Sequence, residues 1–364
     1  MKLQQQSAAV CPTCGTRRER TSVGDIGCMV CLLRVGLSDV ADPIPAGDQF
    51  GTYAIARHDD GTLWELGRGA MGITFRALDV SLNRTVALKI IHTTIAWENT
   101  SLERFLREAR SAAALRHPNI ATVYHFGIRE ETGQCFYAME LVEGETLDMR
   151  IKRTGPMNPL EVIYIAQEIA DALAAAEARG LVHRDLKPAN IMIVSGEDRD
   201  DPASLLQNSE KQRLGKCRNV SKPSRPTVKV IDFGVAKALT EKSDATTLTH
   251  NGFIGTPAFS SPEQFVNGTV DVRSDIYSLG ATIWYLLTGR TVFSGQTVQD
   301  IRGKQLSALL PLQQLKAARV PSRLIALLKS MLALEPVARP STRDLALKLQ
   351  RCRAQVTHRS RQAW

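Results

Sequence analysis

Two short stretches carry the residue types that chemistry needs. The first is His183-Arg184-Asp185-Leu186-Lys187-Pro188-Ala189-Asn190, and the second is Asp232-Phe233-Gly234. Each brings a carboxylate, and the first adds an ammonium and a neutral amide close by. Phosphoryl transfer uses such a set, with one carboxylate beside the attacking hydroxyl, another on Mg²⁺, and little covalent assistance. On that chemistry Asp185 takes the first role and Asp232 the second. Asn190 offers a neutral oxygen to another Mg²⁺, and Lys187 can neutralise a γ-phosphate. A polar turn between two strands is the plainer explanation of the loop. It does not account for the other parts that follow in order along the chain.

A second constellation lies at the start. Cys11-Pro12-Thr13-Cys14 and Cys28-Met29-Val30-Cys31 give the spacing C-x₂-C-x₁₃-C-x₂-C. Each pair forms a tight turn whose sulfurs can converge on one ion, and two such turns close a tetrahedral Cys₄ site. Zn²⁺ fits it as a structural ion, because four thiolates leave no open position. So short a segment buries little core, and the metal would supply its folding energy. The pattern predicts a zinc ribbon over residues 1–37, against redox disulfides or an iron–sulfur site. Cys135, Cys217 and Cys352 are scattered and read as reduced bystanders.

Composition sets the frame for both. The chain has 364 residues, 43% of them hydrophobic and 23% charged, with a formal net charge of +9. That is an ordinary globular composition, long enough for two lobes and a small extra module. No run of about 18 apolar residues predicts a membrane span. The start lacks the apolar region of a signal peptide, so a cytoplasmic location is expected. The positive excess clusters at 211–229 and 351–361. Nucleic acid or anionic lipid would answer such charge. No aromatic residues interleave it in the first cluster, which favours a solvated surface over nucleic-acid binding.

The elements that must position the reactive groups are legible in outline. Leu66-Gly67-Arg68-Gly69-Ala70-Met71-Gly72 carries G-x-G-x-x-G, and Thr74 to Leu78 then reads as a strand rather than a helix. A strand–glycines–strand hairpin lets bare backbone approach phosphates. Val86 to Ile91 is another strand, on which Ala87, Lys89 and Ile91 share a face. A lysine on an inner apolar face needs a partner; Glu103, Glu108 and Glu131 are the candidates. Thr100-Ser101-Leu102-Glu103 reads as a capping box that opens a helix carrying Glu108. Phe136 to Val142 is a third strand. Pro159 to Arg179 is a long helix stopped by Gly180, and Ser274 to Leu287 is a buried helix ended by Gly289.

These motifs, taken together, resemble the eukaryotic-like (Hanks-type) Ser/Thr protein kinases, in a bacterial style. The resemblance covers about Thr62 to Arg353 and implies an α+β, bilobal protein kinase fold, with a small β-rich lobe and a large helical lobe. It implies ATP and Mg²⁺ as cofactors and protein Ser/Thr hydroxyls as acceptors. Gly67, Gly69, Gly72 and Thr74 would cover the nucleotide, with Thr74 standing where the family usually has Val. Ala87 and Met192 would flank the adenine, and Lys89, paired with Glu108, would meet the α/β-phosphates. Met139 would be the gatekeeper, and the Glu140 carbonyl and Val142 amide would bind the adenine edge. Side chains at 140 and 142 are then expected to be weakly constrained. Thr256, in Gly255-Thr256-Pro257, would bridge Asp185 and Lys187 on the substrate side. Asp275 would receive catalytic-loop amides, and Arg339 would pair with Glu263.

Because Arg184 precedes Asp185, a phosphate on Thr247 or Thr249 would pair with it and order the loop, which suggests autophosphorylation. The expected organisation is a zinc-ribbon module at 1–37, a linker at 38–61, a kinase domain at 62–355 and a basic tail at 356–364. A polar, aperiodic insertion at 195–227 reads as disordered. Two other readings stand beside an active kinase. One is a pseudokinase scaffold, although Lys89, Asp185 and Asp232 are all present. The other is a regulator whose zinc ribbon binds nucleic acid.

Overall fold

The computed structural model describes residues 48–69, 72–94, 110–129, 132–194, 226–233, 256–266, 269–307 and 309–362. The four N-terminal cysteines, Glu108, Thr247, Thr249 and nearly all of the insertion lie outside them.

Among the described residues, seven strands belong to the small lobe: β1 (Gln49–Phe50), β2 (Tyr53–Ile55), β3 (Glu65–Gly69), β4 (Gly72–Asp79), β5 (Arg84–Thr94), β6 (Val123–Arg129) and β7 (Gln134–Glu140). Their order is β1-β2-β4-β5-β7-β6, with β3 paired to β4 and every pairing antiparallel. The linker expected over 38–61 therefore ends earlier than its Pro and Gly content suggests. Phe50, Tyr53 and Ile55 are at most 5% exposed. Phe50 and Tyr53 set their rings 5.5 and 6.2 Å from that of Phe136. This apolar alternation makes residues 49–55 part of the lobe.

The large lobe opens with β8 (Gly144–Thr146), α1 (Leu147–Thr154) and α2 (Pro159–Glu177). It continues through β9 (Ile191–Val194) and β10 (Val228–Val230) to α3 (Val272–Thr288), α4 (Val298–Leu306), α5 (Leu312–Ala317), α6 (Ser322–Met331) and α7 (Thr342–Gln362). α2 begins where Asn158 accepts from the Glu161 amide at 2.9 Å and Pro159 takes the first turn, where its missing N–H costs nothing. Val162, Ile165, Ala166, Ile169 and Leu173 bury its inner face completely. Asp271 caps α3 through the Arg273 amide at 2.8 Å, and Gly289, at φ 66°, ends it in a left-handed turn. The two helices share a core with α6 and α7 around Trp284, Leu328, Leu345 and Leu349.

The basic tail expected from residue 356 is a continuation of α7. Leu345, Leu349 and Cys352 form an inward stripe, each at most 2% exposed. Arg353 reaches Gln167 of α2 at 3.2 Å. The basic residues lie between positions of this stripe, which is how a charged sequence stays helical and packed. The insertion leaves β9 and returns to β10 through adjacent points, for the Val194 amide donates to the Thr227 carbonyl at 2.9 Å.

Candidate active site

The small lobe supplies a glycine hairpin and a lysine. In β3 and β4, Gly67 lies opposite Thr74 and Gly69 opposite Gly72. A Cβ on Gly72 would collide with the Ile90 carbonyl, so the sheet itself dictates that glycine. A Cβ on Gly67 or Gly69 would meet no protein atom within 4 Å. Their bare backbone borders open space, the condition for close approach to phosphates. On β5, Lys89 is 8% exposed, and its register partner on β7 is Tyr137.

The large lobe supplies the rest from the loop after α2. Asp275 of α3, 1% exposed, accepts the amides of His183 at 2.7 Å and Arg184 at 2.8 Å. Gln264 donates to the Arg184 carbonyl at 2.7 Å. These bonds hold Arg184 at φ 65°, a conformation that costs a non-glycine residue about 1–3 kcal/mol. The strained residue turns the chain so that Asp185, Lys187 and Asn190 converge. The Lys187 ammonium lies 2.8 Å from Asp185 Oδ2, and Asn190 Nδ2 donates to Asp185 Oδ2 at 3.1 Å and to its carbonyl at 2.8 Å. Lys187 thus meets Asp185 directly. Thr256 opens the short turn Pro257–Phe259, its carbonyl accepting from the Phe259 amide at 3.0 Å.

His183, fully buried, ties this loop to the second stretch. Its Nε2 lies 3.0 Å from the Ile231 carbonyl, and its ring packs 4.7 Å from that of Phe233. Between these two residues, Asp232 has φ 91° and a side chain only 16% exposed. The Lys89 ammonium pairs with its Oδ2, and the Tyr137 hydroxyl donates to its Oδ1. Burial pushes the Asp232 carboxyl up, but the Lys89 charge and the two hydrogen bonds outweigh it, leaving the group below its ordinary value. Burial, reinforced by the same carboxylate, holds the Tyr137 phenol well above its ordinary value. A lysine from one lobe and an aspartate from the other therefore meet across the cleft.

The donor set fits Mg²⁺. Asn190 commits its nitrogen to Asp185, which leaves its oxygen as a hard ligand, and Asp232 is kept ionised. Mg²⁺ takes one or two such protein oxygens and completes its shell with phosphates and water. Among the described residues, no cluster of three or more His, Cys, Asp or Glu is placed to hold a metal.

At the hinge end of β7 the expectation of weak constraint fails for Glu140. Its carboxylate is held 2.7 Å from the Lys229 ammonium of β10 and accepts from the Thr122 amide at 3.2 Å. Lys229 lies three residues before Asp232, a pairing that needs tertiary contact and leaves no periodic trace. Further from the cleft, Arg339, with a fully buried side chain, grips Glu263 through two bonds of 2.6 and 2.8 Å. Ser274 adds a third bond to that carboxylate at 2.5 Å.

The protein kinase domain family matches residues 62–349. The chain belongs to the protein kinase family. It is similar to the serine/threonine-protein kinase pkn3 of Myxococcus xanthus, with 33% identity over 282 residues, 77% of this chain and 47% of that one. It is also similar to the serine/threonine-protein kinase PrkC of Bacillus subtilis, with 35% identity over 280 residues, 77% of this chain and 38% of that one. The chain thus spans less than half the length of either relative. Among solved structures, the Mycobacterium tuberculosis PknI kinase domain aligns at TM-score 0.59 and 25% identity, over 84% of this chain and 98% of that one. The domain has the β-rich and helical lobes of the protein kinase fold. Among the described residues no helix is long and apolar enough to cross a membrane.

Proposed function

We propose that this kinase transfers the γ-phosphoryl group of ATP to serine and threonine hydroxyls of protein substrates. The observation that carries this reading is the meeting of Lys89 and Asp232 across the cleft, beside the loop of Asp185, Lys187 and Asn190, whose Asn190 carbonyl accepts from the Ile231 amide at 2.9 Å. Asp185 orients the acceptor hydroxyl and accepts its proton, and Lys187 neutralises the γ-phosphate. Asp232 and Asn190 would hold Mg²⁺, which when bound would offset charge on the phosphates. Lys89 takes the α/β-phosphates under Gly67, Gly69 and Gly72, with Glu108 the partner that the sequence suggests for it once it leaves Asp232. The adenine lies among Thr74, Ala87, Met139 and Met192, bonded to the Glu140 carbonyl and Val142 amide. Thr256 shapes the acceptor side.

Two further assignments rest on sequence chemistry. Phosphorylation of Thr247 or Thr249 by the kinase itself would give Arg184 an anion. Cys11, Cys14, Cys28 and Cys31 would hold one structural Zn²⁺, checked by metal analysis of the purified chain against a variant with serine at all four positions. The function is tested by phosphoamino-acid analysis after incubation with labelled ATP and casein. Phosphoserine and phosphothreonine are expected; label confined to tyrosine, or none, would contradict the reading.

A further inference from the structure

Tyr137 has a hydroxyl that packing does not explain. Within β7 its buried neighbours Cys135, Phe136, Ala138 and Met139 carry no side-chain nitrogen or oxygen. Tyr137 itself is 2% exposed, so a phenylalanine would fill the same space. A buried hydroxyl without a partner is costly. This one has a partner in the other lobe, Asp232 Oδ1, while Lys89, directly opposite in the β5–β7 register, holds Oδ2.

We infer that Tyr137 is a positioning residue, whose hydroxyl orients the Asp232 carboxylate for the metal. The inference rests on the proposed role of Asp232 as a Mg²⁺ ligand. The two donors differ in stiffness. Lys89 ends a flexible four-carbon stem and is the group that incoming phosphates attract. Tyr137 has two side-chain torsions, both fixed by burial. When the ammonium turns to the nucleotide, the phenol is the contact that remains, on Oδ1, and Oδ2 is left open. Asp232 needs such a restraint, since its φ of 91° lies outside the range that a non-glycine backbone favours.

The test measures binding of a non-hydrolysable ATP analogue to the full chain by calorimetry, once with Mg²⁺ and once with a chelator. In the wild type Mg²⁺ tightens binding by some ratio. Tyr137→Phe keeps the ring and removes only the hydroxyl, and it is expected to reduce that ratio about tenfold, the weight of one hydrogen bond to a charged group. Affinity in chelator should stay within about twofold, and the half-saturating Mg²⁺ concentration for phosphorylation should rise by the same factor as the ratio falls. Tyr137→Met, which fills an apolar site differently, gives the same reading if the phenylalanine variant does not fold. An unchanged ratio overturns the inference, because packing is then the residue's only role. A larger ratio also overturns it, since the phenol would then be restraining the carboxylate against the metal. Asp232→Asn separates the two levels. If it keeps the wild-type ratio, the metal assignment itself fails. If it loses the ratio while Tyr137→Phe keeps it, only the role of Tyr137 fails.

Discussion

His183 shows how much one side chain does without touching a substrate. One ring nitrogen reaches the Ile231 carbonyl at 3.0 Å, the other accepts from the Asp185 amide at 3.2 Å, and the ring packs on Phe233. The backbones that carry the two carboxylates of the site are thus tied through one imidazole, beside the bond from the Ile231 amide to the Asn190 carbonyl at 2.9 Å. His183→Phe retains the stacking and removes both bonds, leaving a carbonyl and an amide unpaired. It should cost about 1–3 kcal/mol, read as a lower urea midpoint with an unchanged slope. At this scale sequence reasoning points to the groups proposed for the chemistry, because phosphates and a metal would dictate their types and offsets. It misses Tyr137 and Lys229, whose partners lie 95 and 89 residues away. The only trace either leaves is a polar atom in an otherwise apolar strand.

Among the elements, the Arg339–Glu263 pair fastens the segment before α3 to the turn before α7. Arg339 also donates to the carbonyls of Ala333, Arg273 and Leu334, at 2.9, 3.0 and 2.9 Å. Removing one partner leaves a buried charge, so Arg339→Met should cost about 3–5 kcal/mol, and the double change with Glu263→Leu should recover much of it. Chemical denaturation of the three variants checks this. The pair also sets an acid limit. Burial raises the Glu263 carboxyl, but its bonds to Arg339 and Ser274 bring it below its ordinary value. A lowered group stabilises the fold above its unfolded value, near about pH 4.3 for glutamate, and that stability is lost as pH falls through the folded value. Glu263→Gln should therefore flatten the loss of stability on acidification, measured as Tm against pH. α2 and α3 were readable to within about two residues at each end, because apolar period and a following glycine agree. β1 and β2 were not, since strands of two and three residues next to Pro and Gly show no period. The end of α7 was hidden by arginines set between its inward positions.

Over the whole molecule, the lobes are joined by polar contacts at the hinge and behind it. Asn119 bonds Glu168 and the Val228 carbonyl, each at 2.9 Å, and Glu140 pairs with Lys229. The bond between Val194 and Thr227 closes the base of the insertion independently of its length. Replacing residues 197–224 with four Gly and Ser residues should shift stability by no more than about 2 kcal/mol, because closure cost grows by only about 0.6 kcal/mol per doubling of length. A larger loss on thermal unfolding would mean that the insertion packs on the domain. Bilobal architecture was legible in the order of the motifs, whereas the contacts across the cleft depend on tertiary geometry. The central claim is that this cleft performs phosphoryl transfer with Asp185 at the acceptor hydroxyl. The most direct test is phosphate incorporation from labelled ATP by the purified wild type and by Asp185→Asn, with Mg²⁺ or with chelator. Incorporation by the wild type in Mg²⁺ alone, reduced at least about a hundredfold in Asp185→Asn, is the predicted result. Equal incorporation by both proteins, or by neither while both bind ATP, would contradict it.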